Sequence, residues 1–576
     1  MKINIQNLKR VIFSSIVAIG LISCELDDLD INTDPNSASK ASLSLLLTNS
    51  QYEGLNTLAG GLNNATMGFQ ALNTSSDNFN FTNSSWNGTW NYLYSGPLKD
   101  LEELILAADP EVNPKYLGVA QLMKAYYFST MVDLWGDLPY SEAFKGNDKE
   151  AQNTQPVYDK GEDIYTDAFR LIDEAVVNLG KSQAVAIKGD IIYNGDTAKW
   201  IKMANSLKLR LLINTRKVQD NSAAIQSIIT EGKIITSSTD DFQLRYSSLA
   251  NPDNRHPMYQ SGYAGGEAGY SYFGHQLMYE MLKNRDPRTP FYFKRQTEVT
   301  LNPEEPTDKQ TIPCSQRADC VYGYFVLSPT VTEGVFGKEP EALSDSEKAY
   351  LSGFFGRDRS DPSGIPNDNP IRTTVGAYPA AGLFDTKAST TGGNKFGKGD
   401  GIFPIITSWM VKFYMLEAQI TLGTNTGSSE KELLESALTD QLNKVFSVGT
   451  AADPLASSNV DAWPENYTWP IEYKNITDFL ATITEDYPVS GTETQRLAAV
   501  LKQAWFANFG NGFEGYNSYR RTGLPADIQA PLQLPRQYAL SLPYAQDEVN
   551  LNGNTPEKVY DSPTFAIFWD TLKFQF

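Results

Sequence analysis

The chain has 576 residues, of which 41% are hydrophobic and 20% are charged, and this composition predicts a globular protein rather than a disordered one. The formal net charge of −20 argues against nucleic acid as a partner and against an anionic surface as the main binding partner. With two histidines in the whole sequence, a histidine-rich metal site is excluded. We expect no metal site and no cofactor, and the sequence leaves open whether a structural calcium ion is bound.

The first 23 residues have the pattern of a secretory signal. Lys2, Lys9 and Arg10 precede an apolar run of about a dozen residues, which is too short to span a bilayer as a mature helix. The run ends in Leu-Ile-Ser-Cys at 21–24, which resembles a bacterial lipobox, where the signal is cut before the cysteine and the cysteine is acylated. We therefore predict that Cys24 is lipidated. An ordinary signal peptide with an incidental cysteine is the alternative.

A polar segment follows over residues 24–40 (CELDDLDINTDPNSASK) and contains turn-forming residues. It predicts a flexible, lipidated tether to a single domain over 41–576. The acids just after Cys24 resemble the surface-export signal of lipoproteins from Bacteroidetes, although a plain solvated tether would have the same composition.

The domain is predicted to be mostly α-helical. The segment 116–143 has the apolar spacing of one helix face until Gly136 and Pro139, which should end the helix. Further amphipathic helices are predicted over 164–180, 196–216, 408–423 and about 493–509. Alanine and aromatic residues stand at packing positions, so the helices resemble tetratricopeptide repeats without a regular period.

Long stretches over about 233–405 and 448–490 are rich in Gly, Pro, Asn and aromatic residues. This composition predicts irregular loop insertions. Loops of this length in a compact protein usually serve function.

Aromatic side chains in such segments are candidate ligand contacts, since aromatic faces suit the C–H groups of sugars. The candidates are Trp86 and Trp90 in SSWNGTWNYLY, Phe354, Phe355 and Arg357 in GFFGRDRSDPSG, Tyr378, and Trp463, Tyr467 and Trp469 in DAWPENYTWPIEY. The alternative is packing: a first helix would bury both indoles of the first stretch, and a phenyl ring can simply fix a loop.

Cys314 and Cys320 lie six residues apart in PCSQRADC. In an oxidising compartment this pair predicts a local disulfide that closes a small loop. A metal pair is the alternative, although no further cysteine remains to complete it once Cys24 is assigned.

Four stretches resemble motifs of the SusD/RagB family, most closely its SusD-like nutrient-binding lipoproteins. Residues 120–128 fit A-x-x-x-x-A-Y-x-F and are followed by DLWGDLPYSEA at 133–143, while GFEGYNSYRRTGLP at 512–525 is similar to E-x-W-x-x-x-R-R-T-G-x-P, with Tyr516 where Trp is common. LPYAQDEVNLNGN at 542–554, with Pro and Tyr exchanged, and IFWD at 567–570 are looser matches. The resemblance spans nearly the whole chain.

This resemblance implies a helical scaffold of about four tetratricopeptide-like helix pairs with long irregular loops and little β structure. It also implies a lipid-anchored protein on the outer face of the outer membrane. Such a protein binds nutrient and acts as the lid of a SusC-type TonB-dependent transporter, and it is not an enzyme. The aromatic content favours oligosaccharide. A peptide ligand, as in the RagB-like branch, and a surface glycosidase that uses two carboxylates are the alternatives.

Overall fold

The computed structural model of the protein describes residues 41–74, 81–147, 153–264, 272–295, 321–361, 373–385, 397–454, 456, 475–532, 539–559 and 563–573. Helices dominate this part of the chain. They are α1 Leu43–Thr57, α2 Asn63–Phe69, α3 Asn87–Ser95, α4 Pro97–Ala107, α5 Pro114–Trp135, α6 Gly161–Gly180, α7 Thr197–Thr215, α8 Ser222–Glu231, α9 Pro257–Tyr259, α10 His275–Lys283, α11 Thr289–Tyr292, α12 Pro329–Phe336, α13 Asp345–Leu351, α14 Ser408–Leu422, α15 Glu430–Ala452, α16 Ile476–Glu485, α17 Glu493–Ala507, α18 Gly512–Thr522 and α19 Gln546–Leu551.

Strands are short and form two-stranded antiparallel pairs. They are β1 Asn73–Thr74, β2 Leu138–Pro139, β3 Tyr158–Asp159, β4 Phe242–Arg245, β5 Tyr272–Phe273, β6 Phe293–Lys294, β7 Thr374–Val375 and β8 Ile402–Ile406. β1 pairs with β5, β4 with β8, and β6 with β7, and each of these pairs joins segments that are distant in sequence. β2 pairs with β3 within the connection between α5 and α6.

Packed helix pairs form the scaffold of the described residues, as the sequence resemblance implied. They include α1 with α4, α5 with α6, α6 with α7, α7 with α8, and α14 with α15. The α5–α6 contact is close because Gly118 carries no side chain: a Cβ there would lie 2.9 Å from the Leu179 side chain and 3.0 Å from the Ala175 carbonyl oxygen. Among the helices that the structure describes, none combines the length and apolar character needed to cross a membrane.

Helix ends follow the sequence signals that predicted them. α5 ends at Gly136, whose φ of +79° suits glycine, and α14 ends at Gly423 with a φ of +67°. Asp196 caps α7, because its carboxylate accepts hydrogen bonds from the Ala198 and Lys199 backbone N–H groups. The predicted helices at 116–135, 164–180, 196–216, 408–423 and 493–509 are therefore confirmed to within a few residues.

The region 233–405 is less irregular than predicted. Its described parts contain β4 to β8 and α9 to α13, and their aromatic side chains are mostly buried. These helices have nine residues or fewer, so apolar periodicity cannot reveal them, although Ser344 and Glu347 form a capping box at the start of α13. The region 448–490 likewise includes the end of α15 and all of α16.

Charged and polar side chains of three sequence motifs meet in the buried centre. The Asp133 carboxylate accepts hydrogen bonds from the Trp569 indole at 3.0 Å, the Arg210 guanidinium at 3.1 Å, the Asn517 amide at 2.7 Å and the Tyr165 hydroxyl. We call these five residues the buried junction. It joins α5, α6, α7, α18 and the C-terminal segment, so the recognised motifs hold the scaffold together.

A second buried ion cluster lies beside the buried junction. Both Glu417 carboxylate oxygens accept hydrogen bonds from Arg521, at 2.7 and 2.8 Å, and Arg216 lies 2.7 Å away. Burial alone would raise the pKa of Glu417, but the two guanidinium groups outweigh burial and lower it. The Arg520 guanidinium lies 3.6 Å from the centre of the Tyr516 ring. The two arginines of the 512–525 motif therefore pack and pair inside the protein.

Candidate functional site

Six of the predicted ligand residues are buried in the protein, and five of them lie away from the cavities described below. Trp86 is 7% exposed, and Phe354, Phe355, Arg357 and Tyr378 are at most 2% exposed. This placement agrees with the packing alternative, and none of the five lines either cavity described below. Their contact with a ligand stays a prediction.

Aromatic neighbours account for this burial. Tyr378 stacks on Tyr292, with ring centroids 5.6 Å apart, and the Tyr292 ring in turn contacts Phe293, which packs against Phe354. The structure thus joins Tyr378 and Phe354 in one aromatic cluster.

Two further candidates meet aromatic rings on other elements. Phe355 stacks on Tyr324 at 5.7 Å, and the Arg357 guanidinium lies 4.5 Å from the centre of the Tyr272 ring. Trp86 packs apart from all of these, with its ring 5.6 Å from that of Phe81.

The remaining predictions lie outside the described residues. They concern lipidation of Cys24, the disulfide between Cys314 and Cys320, and ligand contact by Trp463, Tyr467 and Trp469.

The sixth buried candidate, Trp90, is 2% exposed but is one of the residues that line an open cleft of about 390 Å³ at the C-terminal end of α3. We call this the aromatic cleft. It is lined by Trp90, Asn91, Tyr94, Ser95, Pro139, Ala143, Phe144, Pro156 and Glu548. The volume lies at the lower end of the range of about 300–1,000 Å³ that is typical of small-molecule sites.

Three rings form the apolar side of the aromatic cleft. Tyr94 lies between Trp90 and Phe144, with centroid distances of 5.1 and 6.0 Å and interplanar angles of 39° and 34°. The Tyr94 hydroxyl donates a hydrogen bond to the Pro139 carbonyl oxygen at 2.8 Å, which fixes the ring. Burial raises the pKa of Tyr94 well above its usual value, so this phenol stays neutral. Tyr94 and Phe144 are half-buried and therefore keep apolar surface in contact with solvent.

Phe144 has an unusual backbone. Its φ of +67° lies in the left-handed region, which a bulky residue rarely adopts. Such conformations persist where surrounding structure enforces them, and they concentrate at ligand-binding sites. Here the segment after β2 turns so that the Phe144 ring faces Tyr94.

Polar groups border the rings on one side. The Asn91 amide donates to Asp547 at 2.6 Å, and the Asn552 amide donates to a Glu548 carboxylate oxygen at 2.8 Å. The Asn91 bond holds α19 against α3, whereas the Asn552 bond joins Glu548 to the residue that follows α19 and fixes the carboxylate locally. A rigid aromatic surface beside fixed amide and carboxylate groups suits a ligand that has both C–H faces and hydroxyl groups.

The lining of the aromatic cleft is poor in acidic side chains. Among the described residues that line it, Glu548 carries the one carboxylate, whereas two acids about 5–10 Å apart are needed for most glycosidases. In the part of the chain that the structure describes, no three His, Cys, Asp or Glu side chains are placed to hold a metal ion.

Comparison with known families matches two parts of the chain. Residues 35–308 match a SusD-like family described as starch-binding and associating with the outer membrane. Residues 404–554 match the SusD-like family described as Susd and RagB outer membrane lipoprotein. The chain belongs to the SusD/RagB family.

Solved structures show that the SusD/RagB fold extends over nearly the whole chain. A SusD homologue from Bacteroides fragilis NCTC 9343 is 19% identical, covers 92% of this chain and 99% of its own, and superposes with a TM-score of 0.62. A SusD/RagB family protein from Bacteroides thetaiotaomicron VPI-5482 is 18% identical, with the same coverage and a TM-score of 0.63. A chitin-binding protein is 18% identical, covers 92% of this chain and 100% of its own, and has a TM-score of 0.60.

Membership of the SusD/RagB family places the protein among nutrient-binding proteins of the outer membrane. A comparison with curated proteins gives no match.

Sequence reasoning names Trp90 as a candidate contact but none of the other residues that line the aromatic cleft. Tyr94 stands in the same stretch, four residues after Trp90, and thus on the same helix face. Phe144 directly follows the 133–143 motif, and Glu548 lies inside the 542–554 motif. Each position was therefore close to a recognised signal, but only the fold brings α3, the segment after β2 and α19 together.

Proposed function

We propose that this SusD/RagB protein captures oligosaccharide in the aromatic cleft and delivers it to a SusC-type TonB-dependent transporter, for which it acts as the lid. It binds its ligand without turning it over. The observation that carries the ligand assignment is the half-exposed pair of Tyr94 and Phe144 beside the Asn91 and Glu548 polar groups. Trp86, Phe354, Phe355, Arg357 and Tyr378 stay predicted contacts that do not line this cleft. Trp463, Tyr467 and Trp469 also stay predicted contacts.

Calorimetric titration with oligosaccharides tests the ligand assignment. Chito-oligosaccharides belong in the panel because one structural relative is a chitin-binding protein, together with malto-, cello-, xylo- and manno-oligosaccharides. Phe144→Gly is the best variant, since glycine removes the ring and also accepts the left-handed backbone at this position. We expect binding of at least one series and roughly tenfold weaker affinity in the variant, because a stacked ring contributes about 0.5–1.5 kcal/mol beyond its buried area.

Tyr92→Ala is the matched control for Phe144→Gly. Tyr92 is on the same helix as Tyr94, is 42% exposed and bonds to Glu53 rather than lining the cleft. Its removal should leave affinity unchanged. If Phe144→Gly and the unchanged protein bind with equal affinity, the ligand occupies a site other than the aromatic cleft. Binding of peptides instead of sugars would favour the RagB-like alternative, and release of shorter sugars would favour a glycosidase.

The proposal also includes a lipid anchor at Cys24 that faces the cell exterior. A tether to the membrane raises the effective concentration of the lid at the transporter. We expect Cys24→Ser to release the protein from outer membranes and to reduce the amount of transporter that co-purifies from detergent extracts, as measured by mass spectrometry. Cys314→Ser is the control and should remain in the membrane. Retention of Cys24→Ser with its transporter would contradict the anchor.

A further inference from the structure

A second cavity, of about 240 Å³, lies among the C-terminal helices. It is formed by the turn after α10 and by α15, α16 and α17, which do not take part in the aromatic cleft. We call it the Gln503 pocket. Its lining residues are Asn284, Asp286, Leu434, Phe479, Ile483, Asp486, Tyr487, Ala499, Lys502, Gln503 and Phe506.

The floor of the Gln503 pocket is apolar. Phe479 and Phe506 are each 2% exposed, and both rings lie against the Arg288 guanidinium, with its central carbon 5.4 and 5.7 Å from their centroids. Ile483 and Ala499 are half-buried and extend this apolar surface toward the opening. The floor therefore suits the C–H face of a ring.

Two of the three charged groups that line the pocket, Asp286 and Lys502, are already paired inside the protein, and the third, Asp486, lies exposed at the opening. Both Asp286 carboxylate oxygens accept hydrogen bonds from the Arg288 Nε, at 2.9 and 3.1 Å, and one of them also accepts from a terminal guanidinium nitrogen. The Lys502 ammonium group lies 3.2 Å from Glu280 and 2.8 Å from Asp527. A ligand that carries both an ammonium and a carboxylate group would have to compete with these pairs. A neutral ligand would not.

Gln503 provides the second, independent indication of a ligand. Its side chain lines the pocket and is 9% exposed, and its amide oxygen has no hydrogen-bond partner. A buried acceptor without a donor destabilises the protein, so most such groups in native structures are satisfied by a partner or by ordered water. A hydroxyl group of a ligand in the pocket is a donor of the required kind.

We propose that the Gln503 pocket binds a single neutral sugar ring, as a site separate from the aromatic cleft. A pyranose combines an apolar C–H face for the floor with hydroxyl groups for Gln503 and for the exposed Asn284 amide at the opening. The cavity is smaller than the range of about 300–1,000 Å³ that holds drug-sized ligands, which suits one ring rather than a chain of rings. A nutrient-binding protein would thereby hold an end residue of a glycan at a second point.

Ligand-observed NMR with the methyl pyranosides of glucose, galactose, mannose and N-acetylglucosamine tests this site. We expect saturation transfer from the protein to at least one pyranoside, and an at least tenfold weaker affinity in Gln503→Met, which keeps the length of the side chain but lacks the amide. Ala499→Phe fills the pocket from its half-buried edge and should have the same effect. Thermal unfolding of both variants checks that they fold.

Phe144→Gly separates this proposal from the proposed function. The variant should leave pyranoside binding at the Gln503 pocket unchanged, while Gln503→Met should leave oligosaccharide binding at the aromatic cleft unchanged. The proposal is overturned if no pyranoside binds, or if Gln503→Met and Ala499→Phe both fold and bind the pyranoside as before. It is also overturned if Phe144→Gly alone removes binding, since the sugar would then occupy the aromatic cleft.

Discussion

The buried junction and the aromatic cleft begin at opposite ends of the same motif, residues 133–143, and they use their polar groups differently. In the junction, both carboxylate oxygens of Asp133 accept hydrogen bonds from other elements of the protein. In the cleft, Phe144 and Tyr94 remain half-exposed, and the Glu548 carboxylate is among the lining groups. One end of the motif therefore carries the fold, while the other end is open to a ligand.

Removing the Asp133 carboxylate should give the largest effect on stability. We expect Asp133→Ala to lower the free energy of unfolding by about 3–5 kcal/mol, because it leaves the buried Arg210 guanidinium without one of its two acidic partners. The Asn517 amide and the Trp569 indole would also lose their acceptor. Urea unfolding followed by circular dichroism measures the change.

Asp137→Ala is the matched control within the same motif. Asp137 pairs with Lys160, whose side chain is 74% exposed, and it accepts a hydrogen bond from the Gly161 backbone N–H at 2.9 Å. An exposed pair contributes about 0–1 kcal/mol, and a cap about 1 kcal/mol, so the loss should be far smaller. Equal losses for the two variants would break the distinction between the two ends of the motif.

The fold could be predicted because its long helices are marked by local signals. Asp196, Gly136 and Gly423 stand at helix ends, and apolar residues recur on one face between them. Short helices such as α13 could not be predicted, since seven residues are too few for a period of 3.6 to repeat. The contacts of Asp133 could not be predicted either, because Asn517 and Trp569 lie hundreds of residues away and nothing in their own motifs pairs them with Asp133.

The candidate site was less predictable for the same reason. Composition singled out Trp86 and Trp90 alike, yet both side chains are buried, at 7% and 2% exposed, and the rings left half-exposed at the cleft are those of Tyr94 and Phe144. Aromatic content alone does not separate a ring that packs from one that binds, since both need apolar neighbours. The difference is whether a turn such as the one at Phe144 leaves a ring exposed. That turn depends on a left-handed backbone conformation, which a phenylalanine in the sequence does not predict.

Lys558 lies between the two regions and gives the smallest predicted effect. Its ammonium group donates a hydrogen bond to the Trp135 carbonyl oxygen next to the junction, and it lies 4.5 Å from the centre of the Tyr544 ring next to the cleft. Burial lowers the pKa of Lys558 to about 7 from an ordinary value of 10.5. The side chain is still partly exposed, so water screens part of this cost.

The sign of the resulting pH dependence is fixed by linkage. Between pH 7 and 10.5 the unfolded chain keeps the Lys558 proton and the folded protein releases it, so this group makes the folded state more stable as pH rises. Lys558→Met removes the titration. We expect the variant to be more stable than the unchanged protein by about 1–2 kcal/mol at pH 7, with an advantage that shrinks toward pH 10. Urea unfolding of both proteins at several pH values gives the difference, in which the titration of the tyrosines cancels. If the variant is instead less stable at pH 7, the bond to the Trp135 carbonyl outweighs the cost of burying the charge, and Lys558 belongs to the junction that holds the fold rather than to the border of the cleft.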